Sequence, residues 1–483
     1  MTPPNILIVM NDHQRAETVL PEGPAVTPNL ACFGQESVTF LNTYCPTPHC
    51  CPSRATFFTG LYPTSHGVWN NICNDMALSR GLKPGVRTWS EDLAQAGYAL
   101  EYSGKWHVSV EEGPAQRGWH ERFVSGTRTD HHGQRWDQYH RQAAQPEPQA
   151  RGEGQILRPG YGAYTLYRQN EPAEHTHDVQ VLEGALGALE EVRAGQIRGP
   201  WCLYTGFIGP HDPYNVPGRF LDLYDPAAIQ LPPSYADRMH DKPAIYRRMR
   251  EQIFGQLSER EVREGMRHYY AYCSYLDEAF GQILAALQAT GQAENTLVLY
   301  VADHGDYCGD HGLFAKGIPN FQGAYHVPAV VRWPAGAGRT ARRVPQFVSL
   351  ADFAPTFAEL AGLPAQRRLT GASLVPFLRG ETPAAWRDEI HTQTNGVELY
   401  YCQRSVRTHA AKYVFNGFDR DELYDLARDP HELTNLADDP AYAELKRQLV
   451  GRMWRFAAQE DDAMINPYIT VGLAPWGPAE AFR

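Results

Sequence analysis

The chain has 483 residues, of which 43% are hydrophobic and 20% charged, and its formal net charge is −11. A chain of this length can bury a large core, and these fractions are ordinary for a globular enzyme. The negative charge argues against a protein that binds nucleic acid or an anionic membrane. No apolar run is long enough to span a bilayer, and no signal peptide is evident. The nine cysteines lack the spacing of a disulfide framework. We therefore predict a cytoplasmic protein with reduced thiols.

The first predicted element is a buried strand. Residues 6–10 form a continuous apolar run, as expected for a parallel strand that is covered on both faces. The run ends in the polar sequence Asn11-Asp12-His13. A polar group at the end of such a strand is a candidate for a functional site.

A cysteine motif follows at Cys50-Cys51-Pro52-Ser53-Arg54, with Thr59-Gly60 after it. We predict Pro52 as the first residue of a helix, because its missing N–H costs nothing there and its φ is already helical. Cys50 would then lie at the helix N-terminus, where a thiol becomes reactive and an anion can bind. For Cys50 taken alone, a buried structural cysteine is the alternative interpretation.

Three later strands also end in polar clusters. Residues 98–102, preceded by a helix with a capping box at 88–91, run into Gly104-Lys105-Trp106-His107; residues 202–207 run into Pro210-His211-Asp212-Pro213; residues 296–301 run into Asp303-His304-Gly305-Asp306. Helical patterns at 179–192 and 259–290 alternate with these strands. The alternation predicts an α/β fold with a mostly parallel sheet, whose ligands gather at the carboxyl ends of the strands.

The rest of the chain divides into a polar segment and a C-terminal unit. We predict that residues 111–170 form long connections or an insertion over the site. Short strands at 404–408, 412–416 and 422–426 precede a helix at about 441–459, and the tail from 466 lacks helix or strand periodicity. We therefore predict a catalytic α/β domain over residues 1–379. A smaller α+β domain with a short antiparallel sheet would occupy residues 380–483.

The cysteine motif resembles the signature of the formylglycine-dependent sulfatases, which belong to the alkaline phosphatase superfamily. Cys50 has Pro two residues on and Arg four residues on, which Cys51 does not, so the resemblance assigns the nucleophile to Cys50. It implies that a formylglycine-generating enzyme oxidises Cys50 to an aldehyde, whose hydrate attacks the ester. It also implies an alkaline phosphatase-like fold, with a large mixed sheet between helices.

Asp12, Asp303 and His304 are candidate ligands for one divalent metal ion. Carboxylates and an imidazole at strand ends can hold an ion that neutralises the charged oxygens of a substrate. The resemblance adds Cys50 as a ligand, and Asn11, which stands where the family often has its first Asp. His304 makes the site less calcium-like and resembles the phosphonate monoester hydrolases and choline sulfatases. The metal ion could be Ca, Mn, Mg or Zn, because these residues do not distinguish among the four.

The resemblance also implies catalytic roles for Arg54, Lys105, His107, His211 and Lys316. Arg54 would brace the nucleophile and balance charge at the metal. Lys105 would neutralise the transferring group, and His107 would orient the diol. His211 would protonate the departing oxygen, and Lys316 would contact the sulfate or that oxygen.

These residues predict a metal-dependent, arylsulfatase-like hydrolase of small-molecule sulfate esters, which acts through a covalent sulfo-enzyme intermediate. A phosphonate monoester or phosphodiester hydrolase would use the same residues, because its substrates are also tetrahedral anions. A non-catalytic anion-binding relative, and a hydrolase that uses the Cys50 thiolate, are less consistent with the complete residue set. The substrate alcohol and the oligomeric state, a homo-oligomer included, stay open.

Overall fold

The computed structural model describes residues 3–73, 77–126, 151–158, 162–170, 176–364, 367–396 and 399–482. The strands are β1 Asn5–Asn11, β2 Val38–Tyr44, β3 Ala99–Lys105, β4 His120–Ser125, β5 Gln155–Arg158, β6 Gly162–Thr165, β7 Tyr167–Asn170, β8 Trp201–Gly206, β9 Tyr214–Pro217, β10 Thr296–Ala302, β11 His326–Val327, β12 Ala329–Arg332, β13 Arg342–Ser349, β14 Glu389–Thr394, β15 Gln403–Thr408, β16 Ala411–Asn416 and β17 Glu422–Asp425.

The α-helices are α1 Pro28–Gly34, α2 Cys50–Thr59, α3 Pro63–His66, α4 Trp89–Gln95, α5 Thr176–Arg193, α6 Gly218–Leu221, α7 Ala244–Arg248, α8 Glu259–Ala289, α9 Gln322–Tyr325, α10 Pro334–Ala337, α11 Phe353–Leu360, α12 Val375–Leu378, α13 Ala443–Gln459 and α14 Pro467–Gly472. A π turn spans Met249–Ile253, and 3₁₀ turns span Ala16–Val19, Pro114–Arg117, Pro226–Ala228, Phe254–Gln256, Ala293–Asn295, Asp310–Gly312, Leu350–Asp352, Pro440–Tyr442 and Pro478–Phe482.

Nine strands form one large mixed sheet in the order β11-β2-β12-β10-β1-β8-β3-β4, with β13 paired to β2. The strands β10, β1, β8, β3 and β4 are parallel neighbours, whereas β12 runs antiparallel to both β10 and β2. The predicted fold class is confirmed. Because β1, β3, β8 and β10 point the same way, the polar clusters that follow them meet at one edge of the sheet.

Helices cover both faces of this sheet. Ile8 of β1 and Phe58 of α2 belong to the core on one face, while Val9 and Phe280 of α8 belong to the core on the other. Successive strand residues point to opposite faces, so a strand with two covered faces needs apolar residues at every position. All seven residues of β1 are buried, which explains its uninterrupted apolar run.

Helix α2 begins two residues before the predicted start. His49 is the N-cap in an extended conformation, and Cys50 is the first helical residue, so Pro52 is the third rather than the first. Proline is tolerated there because the N–H groups of the first turn have no acceptor within the helix. Gly60 ends the helix with φ 72°, a left-handed conformation that favours glycine. The expected place of Cys50 at the helix N-terminus is confirmed.

Several other predicted elements have shifted bounds. The capping box of Thr88 and Glu91 opens α4 as predicted. The strand predicted at 98–102 extends to Lys105, so that Lys105 lies on β3 itself. Of the segment 111–170, the described parts form β4 to β7, with β5 paired to β6 and β7 paired to β9. The remainder of that segment lies outside the described residues.

The C-terminal unit is a four-stranded antiparallel sheet, β14-β15-β16-β17, covered by α13. Strand β14 was not predicted, because its sequence Glu-Ile-His-Thr-Gln-Thr is almost wholly polar although largely buried. The tail differs from the expectation of no regular structure. It forms α14 and a 3₁₀ turn, and Trp454 Nε1 of α13 donates to the Trp476 carbonyl at 2.9 Å. The domain boundary at residue 380 stays a prediction.

Among the described residues, none of the helices combines the length and the apolar character that crossing a membrane requires.

Candidate active site

Cys50 lies in a buried polar cluster at the carboxyl edge of the large sheet. Its Sγ is 3.6 Å from Asp12 Oδ1, 3.3 Å from His304 Nε2 and 3.3 Å from Lys316 Nζ. Burial and the Asp12 carboxylate raise the pKa of the Cys50 thiol, but the charges of Lys105, Lys316 and His304 outweigh them. The pKa of Cys50 therefore lies well below its usual range, as expected for a reactive cysteine.

Two cations hold the carboxylates of the cluster. Arg54 Nε donates to Asp303 Oδ2 at 2.7 Å, and Arg54 Nη1 donates to the Lys105 carbonyl at 2.9 Å. Lys105 Nζ donates to Asp12 Oδ2. Burial raises the pKa of Asp12, but Lys105 and His304 hold it well below its usual range. Asp12, Asp303 and Arg54 are fully buried, so each charge depends on its partners for compensation.

Asp12, Cys50, Asp303 and His304 could together hold a metal ion. One ligand atom from each lies within 4.8 Å of the others, and all four residues are buried. Burial and Lys316 lower the pKa of His304, but Asp303, Cys50 and Asp12 raise it to about 9. Carboxylates, a neutral imidazole and a thiolate are all groups that ligate divalent ions. The donor set therefore fits a divalent ion.

Asn11 is not brought into this cluster. Its Nδ2 donates to Gln14 Oε1 and to Tyr300 OH, both at 2.6 Å. Tyr300 belongs to the core on the opposite face of the sheet from Phe58 of α2. The reason is the alternation of side chains along a strand, which sends Asn11 and Asp12 to opposite faces.

His107 lies beside Cys50 in a strained position. Its φ is 57°, and its amide donates to the Gly126 carbonyl at 3.2 Å. Burial and Lys105 lower the pKa of His107, but hydrogen bonding with the thiols of Cys50 and Cys73 raises it above its usual value. Gly126 has φ 71°, and a Cβ there would lie 2.5 Å from His107 Cδ2. Glycine at position 126 thus makes room for the imidazole.

Lys316 and His211 form the outer side of the site. Lys316 Nζ lies 3.2 Å from His211 Nε2 and 3.3 Å from Cys50 Sγ. The His211 side chain is 27% exposed, whereas the groups around Cys50 are buried. A departing group would therefore leave the cluster past these two residues.

His13 is a residue of the site that the sequence analysis did not assign. Its Nε2 is hydrogen-bonded to Lys316 Nζ, and its Nδ1 lies 3.0 Å from Asp306 Oδ2. Asp12, His13 and His211 form a second group whose ligand atoms lie within 4.8 Å of one another. Burial, followed by Lys316 and His211, lowers the pKa of His13 well below its usual value, so the ring is neutral.

The only signal for His13 in the sequence is that it follows Asp12. In a regular strand it would point to the same face as Asn11, away from the site. Its φ of 69° ends the alternation and turns the side chain to the Asp12 side. Asp306 was likewise unassigned, and it accepts from Tyr214 OH at 2.7 Å.

Family models and relatives among known proteins match most of the chain. The model of the Sulfatase family matches residues 4–363, and the model described as N-sulphoglucosamine sulphohydrolase, C-terminal, matches residues 309–459. The choline-sulfatase of Rhizobium meliloti (strain 1021) is 32% identical over 449 residues, which cover 90% of this chain and 83% of that protein.

Two further similarities span nearly the whole chain. The multifunctional alkaline phosphatase superfamily protein PehA of Trinickia caryophylli is 27% identical over 520 residues, which cover 97% of this chain and 98% of that protein. The crystal structure of the phosphonate monoester hydrolase of Agrobacterium radiobacter superposes with a TM-score of 0.77 at 23% identity, covering 95% of this chain and 96% of that one. At that identity the likeness concerns the fold alone.

Proposed function

The chain belongs to the sulfatase family, as a sulfuric ester hydrolase, and we propose that its nucleophile is a formylglycine made from Cys50 by a formylglycine-generating enzyme. The observation that supports this most is the position of Cys50. Its Sγ lies within 3.6 Å of a carboxylate, an imidazole and an ammonium group in a buried cluster. In this view Sγ stands in for the oxygen of the modified residue.

The charges of the cluster favour an anionic ester. With His304 neutral as a metal ligand, Arg54, Lys105 and Lys316 bring three positive charges, against two negative charges from Asp12 and Asp303. The excess of positive charge lies in a buried place, where electrostatic attraction is stronger than in water. Fixed donors of this kind stabilise negative charge that develops on the substrate oxygens in the transition state.

A divalent metal ion would be held by Asp12, Asp303, His304 and the modified residue 50. When bound, such an ion makes a hydroxyl nucleophile more acidic and polarises the ester oxygens. Arg54 and Lys105 each hold one oxygen of these carboxylates, Oδ2 of Asp303 and Oδ2 of Asp12. The imidazole of His304 favours manganese or zinc over calcium, while calcium and magnesium stay alternatives.

Lys316 and His211 would serve the departing alkoxide. Their nitrogens lie 3.2 Å apart, so a proton given up by one can be replaced from the other. His211 is partly exposed and can exchange its proton with solvent. A group that donates a proton to the leaving oxygen typically contributes about 10²–10⁴-fold to the rate.

The modification of Cys50 is tested by the mass of its peptide together with activity. We expect the peptide to show the aldehyde, and Cys50→Ala to abolish hydrolysis of an aryl sulfate. Cys45→Ala is the matched control, because Cys45 is equally buried and its Sγ donates to the Ala324 carbonyl rather than entering the cluster. Full activity with only unmodified Cys50 would contradict the proposal.

A phosphonate monoester or phosphodiester hydrolase is the second candidate, and the imidazole of His304 in the donor set favours it. The two candidates are separated by kcat/KM for an aryl sulfate and an aryl phosphonate monoester on one preparation with bound metal and modified Cys50. A sulfate preference supports the first proposal. A phosphonate preference would show that the site is tuned to phosphorus.

A further inference from the structure

We propose that Cys51, Cys73 and His107 form a second, thiol-rich site for a soft divalent cation such as Zn²⁺. One ligand atom from each of the three residues lies within 4.8 Å of the others. This group lies beside the catalytic cluster but uses different thiols, because consecutive residues of a helix point in different directions. Cys50 faces Asp12 and His304, while Cys51 faces Cys73.

The surrounding contacts hold the three residues together. The Cys51 amide, in the first turn of α2, donates to Asn71 Oδ1 at 3.2 Å, which ties the helix to the segment that bears Cys73. Cys51 is fully buried and Cys73 is partly exposed, so an ion can enter from the Cys73 side. His107 Nδ1 is buried and has no hydrogen-bond partner in the part of the chain that the structure describes.

The donor chemistry selects the class of ion. Two thiols and one imidazole form a soft set that suits zinc and related ions, and three protein ligands leave a fourth position for water. Binding needs no redox step: the two thiol protons leave, and each sulfur donates an electron pair to the ion. Magnesium and calcium prefer oxygen ligands and would not compete.

Occupation of this site would affect the catalytic centre, and this consequence rests on the proposed function. His107 belongs to the group with Cys51 and Cys73, and its imidazole also lies near Cys50. An ion bound to the His107 nitrogen would withdraw the imidazole from residue 50. We therefore expect thiophilic metal ions to inhibit the enzyme through Cys73.

The binding is tested by Co²⁺ titration of the reduced Cys50→Ser protein, in which the catalytic cluster has no thiol. We expect a thiolate-to-cobalt charge-transfer absorption that further Cys51→Ser or Cys73→Ser substitution removes. Cys32→Ser and Cys308→Ser are controls that should keep it. The proposal is overturned if no such absorption appears, if it survives both substitutions, or if Cys51 and Cys73 are found only as a disulfide that resists reduction.

The consequence is tested by Zn²⁺ inhibition of aryl sulfate hydrolysis. For each variant, inhibition is expressed as a fraction of the rate of that variant without Zn²⁺. We expect Cys73→Ser to raise the Zn²⁺ concentration for half-inhibition by at least about tenfold over that of the unsubstituted protein. An unchanged Zn²⁺ concentration for half-inhibition would overturn the proposal that an ion at the second site acts on the catalytic centre through His107. If the protein had no sulfatase activity, the cobalt experiment would still decide whether the second site exists, so the two failures are distinguishable.

Discussion

The amino group of Lys316 lies between residue 50, the neutral ring of His13 and the partly exposed His211. Only the family resemblance predicted a role for this lysine, because a single lysine in a loop is usually a solvated surface charge. Its contacts give it a specific place on the partly exposed side of the cluster.

We predict that Lys316→Ala lowers kcat by about 10²–10⁴-fold for esters of poorly acidic alcohols, and by much less for esters of acidic phenols. An acidic phenol leaves without a proton, so it does not need the lysine. The measurement is the dependence of kcat/KM on the pKa of the leaving group. Lys83→Ala is the control, since Lys83 donates to the Thr64 carbonyl outside the cluster. An equal loss for all leaving groups would contradict this role.

Arg54 is the residue whose removal should cost the most stability. It is fully buried, and it bonds Asp303 and the Lys105 carbonyl. Arg54→Ala leaves a buried carboxylate without its cation, and we expect the free energy of unfolding to fall by about 3–5 kcal/mol in metal-free protein. Urea unfolding measures this. Arg193→Ala breaks an exposed pair with Glu190 and should leave the unfolding midpoint unchanged.

At the scale of elements, the site depends on the turns that follow the strands. In these turns the side chains no longer alternate between the two faces of the sheet as they do along a strand. His13 and His107 both follow strands and both have positive φ. Periodicity predicted the strands before them, but it describes only the regular part of the chain. The conformation of the first residues beyond a strand depends on what packs against them, as Gly126 does against His107.

We predict that Gly126→Ala lowers kcat by about 10²-fold, because the new Cβ would displace His107 from residue 50. Gly97→Ala is the matched control. Gly97 also has a positive φ, of 86°, but a Cβ there meets no atom within 4 Å among the described residues. Both substitutions strain a left-handed residue, so a large loss of kcat in both would contradict the explanation.

At the scale of the whole molecule, the buried His66 and the partly buried His326 should make the fold sensitive to acid. Burial lowers the pKa of His66 to about 3 and that of His326 to about 4. Both rings are engaged as neutral groups: the Val68 amide donates to His66 Nδ1 at 3.0 Å, and His326 Nε2 donates to the Leu41 carbonyl at 2.8 Å. In the unfolded chain these two histidines bind protons near pH 6.5, whereas in the folded chain they stay neutral at that pH.

We therefore predict that stability falls as the pH drops from about 6.5 to 4, by about 1.4 kcal/mol per pH unit for each of the two histidines. Urea unfolding across this range should show a smaller slope for His66→Gln and for His326→Gln. His120→Gln is the control, because the His120 side chain is 65% exposed. If neither His66→Gln nor His326→Gln changes the slope of the unfolding free energy against pH, the prediction is contradicted.

The order of strands and helices and most of the site were predictable from the sequence. Apolar runs followed by Asp12, Lys105, His211 and Asp303 are local features, and parallel strands bring their carboxyl ends to one edge of a sheet. The motif at Cys50 is also local, and the helix α2 places it there. The cytoplasmic location and the boundary at residue 380 stay predictions.

Other features depend on contacts between distant segments, and no local pattern records them. Strand β14 is buried although polar, because it pairs with β15 on one side and contacts the N-terminal part of the chain on the other, where the Gln393 amide donates to the Pro46 carbonyl at 2.7 Å. Asn11 faces away from the site and His13 faces into it, because one backbone angle reverses the alternation between them. Cys51 meets Cys73 and His107 because α2, a loop and the end of β3 pack together. Side-chain direction beyond a strand and the pairing of distant residues follow from three-dimensional packing, which a one-dimensional pattern does not contain.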